Sequence, residues 1–155
     1  MVDEIARADA VIRPYVPGPV LPRPPYGSWR QKTRVDGPED WPTSLVAERL
    51  RASGRFADYV GPIMWDIVAE DWECWRRHDS VEQCVKTHLQ AIDHVGRGIV
   101  LLHDGSENPL QRTRNRSGSL TMALVPQLRA RGYRFVSLGD VPDVREAMRA
   151  VVSRG

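Results

Sequence analysis

The stretch Gly98-Ile99-Val100-Leu101-Leu102-His103-Asp104 is a short run of β-branched and aliphatic residues that ends on a histidine and an aspartate. Opened by Gly98 and closed by the turn-prone Asp104-Gly105-Ser106, it predicts a strand covered on both faces, because a half-exposed strand would alternate with polar residues. Such strands belong to α/β architectures, in which chemistry collects at the carboxyl ends of the strands. His103 at that end is either a hydrogen-bonded histidine closing a strand or a proton-transfer group.

The rest of the chain alternates helix and strand. Val2 to Arg13 places Ile5, Ala8, Val11 and Ile12 on one side of a helix that Pro14 stops. Pro14 to Gly27 holds six prolines and two glycines, a density that no regular helix survives. Val20-Leu21 there reads as a short strand. Trp29 to Asp40 is polar and turn-rich, and Pro42 opens a helix through Arg51. Tyr59 to Val68 is a second buried-strand candidate. The clustered tryptophans Trp65, Trp72 and Trp75, within and beyond it, either line a carbohydrate-sized groove or fill core volume.

Ser80-Val81-Glu82-Gln83 has the form of a capping box, and Val81, Cys84, Val85, His88, Leu89, Ile92 and Val95 follow at spacings of three and four. This predicts a helix with His88 packed on its apolar stripe. His94 lies on another face, so the two histidines cannot share a metal. Asp104 to Arg116 reads as a loop. Leu120, Leu124 and Leu128 mark another helix, which Pro126 either kinks or restarts. Tyr133 to Leu138 is a short strand, and Pro142 begins a final helix through about Val152. A parallel α/β unit, barrel-like or doubly wound, fits this order.

With 22 Lys and Arg against 20 Asp and Glu scattered over 155 residues, no basic stripe forms and nucleic acid is not an implied partner. Cys74 and Cys84 lie outside any Cys-x-x-Cys pair and read as free thiols. The acidic start Met-Val-Asp-Glu-Ile-Ala-Arg and the lack of a long apolar segment predict a soluble, cytoplasmic chain with no membrane partner.

Arg23-Pro24-Pro25-Tyr26-Gly27, Trp65-Asp66 through Asp71-Trp72, Ile99-Val100-Leu101-Leu102-His103-Asp104 and Leu128-Arg129-Ala130-Arg131-Gly132-Tyr133-Arg134-Phe135-Val136 occur in this order. In these segments the chain resembles the polysaccharide deacetylase family, which includes chitin, peptidoglycan and chitooligosaccharide deacetylases. The resemblance runs through nearly the whole chain and covers only the later part of the family domain. It implies a partial, distorted (β/α) barrel lacking its first strands, as a single domain over residues 1–155.

The implied activity is hydrolysis of a non-peptide C–N bond, removing N-acetyl groups from an amino-sugar polysaccharide or oligosaccharide. By resemblance His103 is the general acid, Arg23 positions the catalytic aspartate, and the backbone N–H of Tyr26 stabilises the oxyanion. Trp65, Trp72 and Asp66 are candidate substrate-binding residues. The family activates water with a divalent metal such as zinc, held by an aspartate of an Asp-Asp strand and a His-x-x-x-His pair. This chain has no Asp-Asp dipeptide, and its histidines at 78, 88, 94 and 103 include no pair four apart.

No metal ligand or cofactor is therefore expected in this chain, which is expected to be inactive alone. The alternative is a non-catalytic carbohydrate-binding or interaction protein. Where the family often has an aspartate that tunes the acid histidine, this chain has Val68, with Asp66 as the nearby stand-in. An incomplete barrel would also leave Val100, Leu102, Ile63 and Ile67 on an uncovered edge, which opens a route to self-association.

Overall fold

The computed structural model describes residues 2–23, 49, 50, 52–106 and 108–153. Packing gathers them into two compact units, Met1–Met64 with Val136–Gly155, and Trp65–Phe135. Among the described residues no helix is long and apolar enough to cross a membrane.

The central unit is a mixed α/β arrangement, mostly helical. Strand β1 (Ile67–Val68) pairs in parallel with β2 (Val100–Leu101) in the register Ile67↔Val100, Val68↔Leu101. Between them run α2 (Asp71–Arg77) and α3 (Val81–Val95). After β2 come α4 (Pro109–Arg114) and α5 (Ser117–Ala130).

Helix α3 starts where its capping box predicts. Gln83 N donates to Ser80 Oγ at 3.2 Å, and Ser80 N donates back to Gln83 Oε1 at 2.7 Å, so two otherwise orphaned donors are satisfied together. It stops at Gly96, whose φ of +81° suits a residue without Cβ. Its buried Cys84, Val85, His88, Leu89 and Ile92 face Leu120, Leu124 and Leu128 of α5. Pro126 sits inside α5 and removes one backbone donor without ending the helix.

The two strands are much shorter than the apolar runs that contain them. Gly98 to Asp104 yields only Val100–Leu101, and these are half-buried rather than covered on both faces. Tyr59 to Val68 likewise yields Ile67–Val68, with Ile67 buried and Val68 half exposed. The expected strand at Tyr133 to Leu138 is absent from the described sheet. Gly132 and Tyr133 instead donate to the carbonyls of Arg129 and Leu128, closing α5 and leaving Phe135 and Val136 exposed.

Two helices were not read from the sequence. Asp71–Arg77 lies in the tryptophan segment, and Pro109–Arg114 lies in the expected loop. Both are too short to show an apolar repeat.

The reading of Cys74 and Cys84 as free thiols is corrected, because they form a disulfide that joins α2 to α3 across a Cα–Cα distance of 5.9 Å. Self-association through an uncovered strand edge is corrected as well. Ile67 belongs to the buried core, with Val100 and Leu102 packed against it, and Ile63 is half-buried. Of the residues expected to be left bare, Ile67 is buried and Ile63, Val100 and Leu102 are half-buried.

In the other unit, α1 (Val2–Ile12) runs into a single 3-10 turn at Arg13–Tyr15. The proline-rich chain then makes one parallel bridge, Val20 to Tyr59, where Val60 N donates to Val20 O at 2.8 Å. Helix α1 buries no residue fully, and Val11 and Ile12 of its expected apolar side are exposed. It is held by polar contacts instead. Asp9 accepts from Arg13 at 2.7 Å and from the Tyr59 hydroxyl at 2.8 Å. A 3-10 turn at Leu138–Asp140 leads into α6 (Pro142–Val152), which starts at its proline as predicted. Most of the helix expected from Pro42 lies outside the described residues.

Candidate functional site

Parallel pairing of β1 and β2 explains how the site forms. Val68 is in register with Leu101, so the chain segments leaving the two strands start side by side. Asp71 follows Val68 by three residues and His103 follows Leu101 by two. The two side chains therefore meet beyond the carboxyl ends of neighbouring strands, the place where open α/β sheets concentrate chemistry.

Asp71 is completely buried, while the His103 side chain remains 39% exposed. His103 Nδ1 lies 2.7 Å from Asp71 Oδ1, and the backbone N–H of the same histidine donates to Asp71 Oδ2 at 2.8 Å. Oδ2 also accepts from Ser117 Oγ at 2.7 Å, and Ser117 in turn accepts from the indole Nε1 of Trp75 at 3.1 Å. The Asn115 side chain donates to the His103 carbonyl at 2.8 Å.

These partners determine proton positions. An indole N–H can only donate, so the Ser117 hydroxyl uses its own proton on Asp71. A carboxylate with that many donors is the ionised acceptor, a form tolerated in burial only when hydrogen-bonded. Nδ1 of His103 then carries a proton, and Nε2 is left as the ring atom that can accept or deliver one.

The carboxylate partner of His103 is therefore Asp71, a residue that sequence reasoning placed in a motif without assigning it this role. The expectation that Asp66 stands in for the aspartate missing at Val68 is corrected. Val68 is half exposed, and Asp66 turns to the backbone, where Oδ2 accepts from Ile99 N at 2.7 Å. That contact needs Gly98, because a Cβ there would stand 2.5 Å from Asp66 Oδ2. The available signal for Asp71 was its place just past a strand parallel to the one that delivers His103.

Trp65 is half-buried and Trp72 is 41% exposed. Tyr26 lies outside the described residues. Arg23, in the other unit, donates from Nε to Ile63 O at 2.9 Å and from Nη2 to Met64 O at 3.1 Å.

The expected amino-sugar partner, held along a tryptophan-lined groove, is corrected. Trp75 is buried in the core with its indole N–H spent on Ser117. A cavity of about 470 Å³ opens instead between α3 and α5, lined by Val81, Val85, Leu89, Lys86 and Arg131 among others and by no tryptophan.

Among the described residues, His88, His78 and His103 each have a protein neighbour in place of the divalent metal that the family resemblance implies. His88 Nδ1 is 2.8 Å from the Cys84 carbonyl, His78 Nε2 is 3.0 Å from an Arg114 nitrogen, and His103 is joined to Asp71. Among the described residues no three His, Cys, Asp or Glu side chains gather as a metal would require.

Compared with known proteins, the chain matches no family model, no curated protein and no solved structure.

Proposed function

We propose that Asp71 and His103 form the proton-transfer part of a hydrolytic site for a non-peptide C–N bond, of the polysaccharide deacetylase type. The 2.7 Å contact between His103 Nδ1 and Asp71 Oδ1 carries this reading. Asp71 orients the imidazole, so that Nε2 can deliver a proton to the amine nitrogen leaving a tetrahedral carbon. Water activation has no candidate among the described residues, so the chain is proposed not to turn over amides by itself. The parallel β1–β2 pair, with α2 and α3 between its strands, supports reading this unit as part of a distorted (β/α) barrel. The buried Cys74–Cys84 disulfide favours an oxidising compartment over the cytoplasm.

The test uses para-nitrophenyl acetate, whose leaving group needs no proton, so that the dyad can act on it as a base. The expected result is hydrolysis above the buffer rate that drops by about a hundredfold or more in His103→Ala, the lower edge of general acid–base effects. An unchanged rate in a folded His103→Ala variant overturns the proposal.

A further inference from the structure

We infer that Ser117 is a positioning residue, which fixes Asp71 and through it the tautomer and orientation of His103. This rests on the proton-transfer reading above and adds a residue to it. Asp71 and Trp75 are four apart on α2, so both project from one side of the helix. Between them they clasp Ser117, a 5% exposed hydroxyl at the start of α5. Trp75 Nε1 donates to it at 3.1 Å and it donates to Asp71 Oδ2 at 2.7 Å.

The hydroxyl is not occupied in capping the helix. The residue at the cap position is Arg116, and the donor at Ser117 N is taken by Asn115 Oδ1 at 2.9 Å. The direction of the chain is set by the indole, which can only donate, so that the single hydroxyl proton points to the carboxylate. With Oδ2 held by Ser117 and by the His103 backbone, Oδ1 is the oxygen presented to Nδ1. Loss of the hydroxyl leaves the carboxylate one donor short in a fully buried place. Oδ2 is then held by the His103 backbone alone, and the ring has a less firmly fixed partner.

The experiment is carried out on the full chain. Two-bond ¹H–¹⁵N correlations from the His103 ring report which nitrogen holds the proton in the neutral imidazole. The unaltered protein is expected to show the Nδ1–H form. Ser117→Ala is expected to shift the population toward Nε2–H and to lower the para-nitrophenyl acetate rate. Trp75→Phe, which removes the indole donor while keeping a large aromatic ring, is read in the same way where Ser117→Ala does not fold. A tautomer population that does not move in the folded variant overturns the inference. A population that moves while His103→Ala has no effect on hydrolysis upholds the positioning role and removes the catalytic reading instead.

Discussion

Asp71 Oδ1 and His103 Nδ1 stand 2.7 Å apart although 32 residues separate them in the chain. One is fully buried and the other partly exposed, so the contact links the core of the central unit to its surface. The pair is held on the carboxylate side by two further donors, the His103 backbone N–H and the Ser117 hydroxyl.

Asp71→Ala should be among the more damaging single substitutions in this unit. It orphans the Ser117 hydroxyl and the His103 backbone N–H, and each buried group without a partner costs about 1–3 kcal/mol. Denaturant unfolding checks it: the midpoint is expected to fall, and an unaltered midpoint would mean that water replaces both bonds without cost.

Gly98→Ala should also destabilise. Gly98 has a φ of +131°, and a Cβ there would come within 2.5 Å of Asp66 Oδ2, displacing the carboxylate from Ile99 N. A loss of about 1–3 kcal/mol is expected, in the range of backbone strain at special φ values. Thermal unfolding of the variant beside Asp66→Ala tests the shared cause, since the double variant should lose less than the sum.

Reduction of the Cys74–Cys84 disulfide should lower stability. Its cysteines are ten residues apart, and closing a loop of that size in the unfolded chain is worth about 2–3 kcal/mol in the chain-entropy account. Unfolding with and without a thiol reductant measures the difference. Because α2 carries Asp71, Trp75 and Cys74 together, the reduced chain should also show a weakened His103 Nδ1–H tautomer.

The α1 unit should respond to alkali through Tyr59. Burial, then the hydrogen bond to Asp9 and its charge, push the phenol up from 10.0 to about 12. A phenol raised in the folded state contributes stability that is fully present below its unfolded value and is lost as pH rises from 10 to about 12. The Arg13 and Tyr59 hydrogen bonds, in that order, hold the Asp9 carboxyl below its usual 3.8. Its contribution is present above that value and is lost as pH falls through the lowered one. Tyrosinate absorbance titration checks the alkaline limb, and Tyr59→Phe should abolish it.

What the sequence determined by itself was local and periodic. The capping box at Ser80 and the three-and-four spacing through Val95 set α3 to the residue, because caps and apolar stripes act within a few turns of chain. Leu120, Leu124 and Leu128 placed α5, and Pro142 the start of α6. His103 was legible as the polar end of an apolar run. Tertiary structure alone decided how much of each run became strand, because strand length depends on a neighbour to pair with, and the described pairing spans two residues on each side. It also decided which carboxylate meets His103. Along the chain Asp66, Asp71 and Asp104 are all carboxylates close to the motifs, and only the register of β1 against β2 brings Asp71 to the ring while Asp66 binds the backbone at Ile99. The disulfide was hidden for the same reason. Two cysteines that each read as a free thiol become a pair only when α2 and α3 are folded against one another.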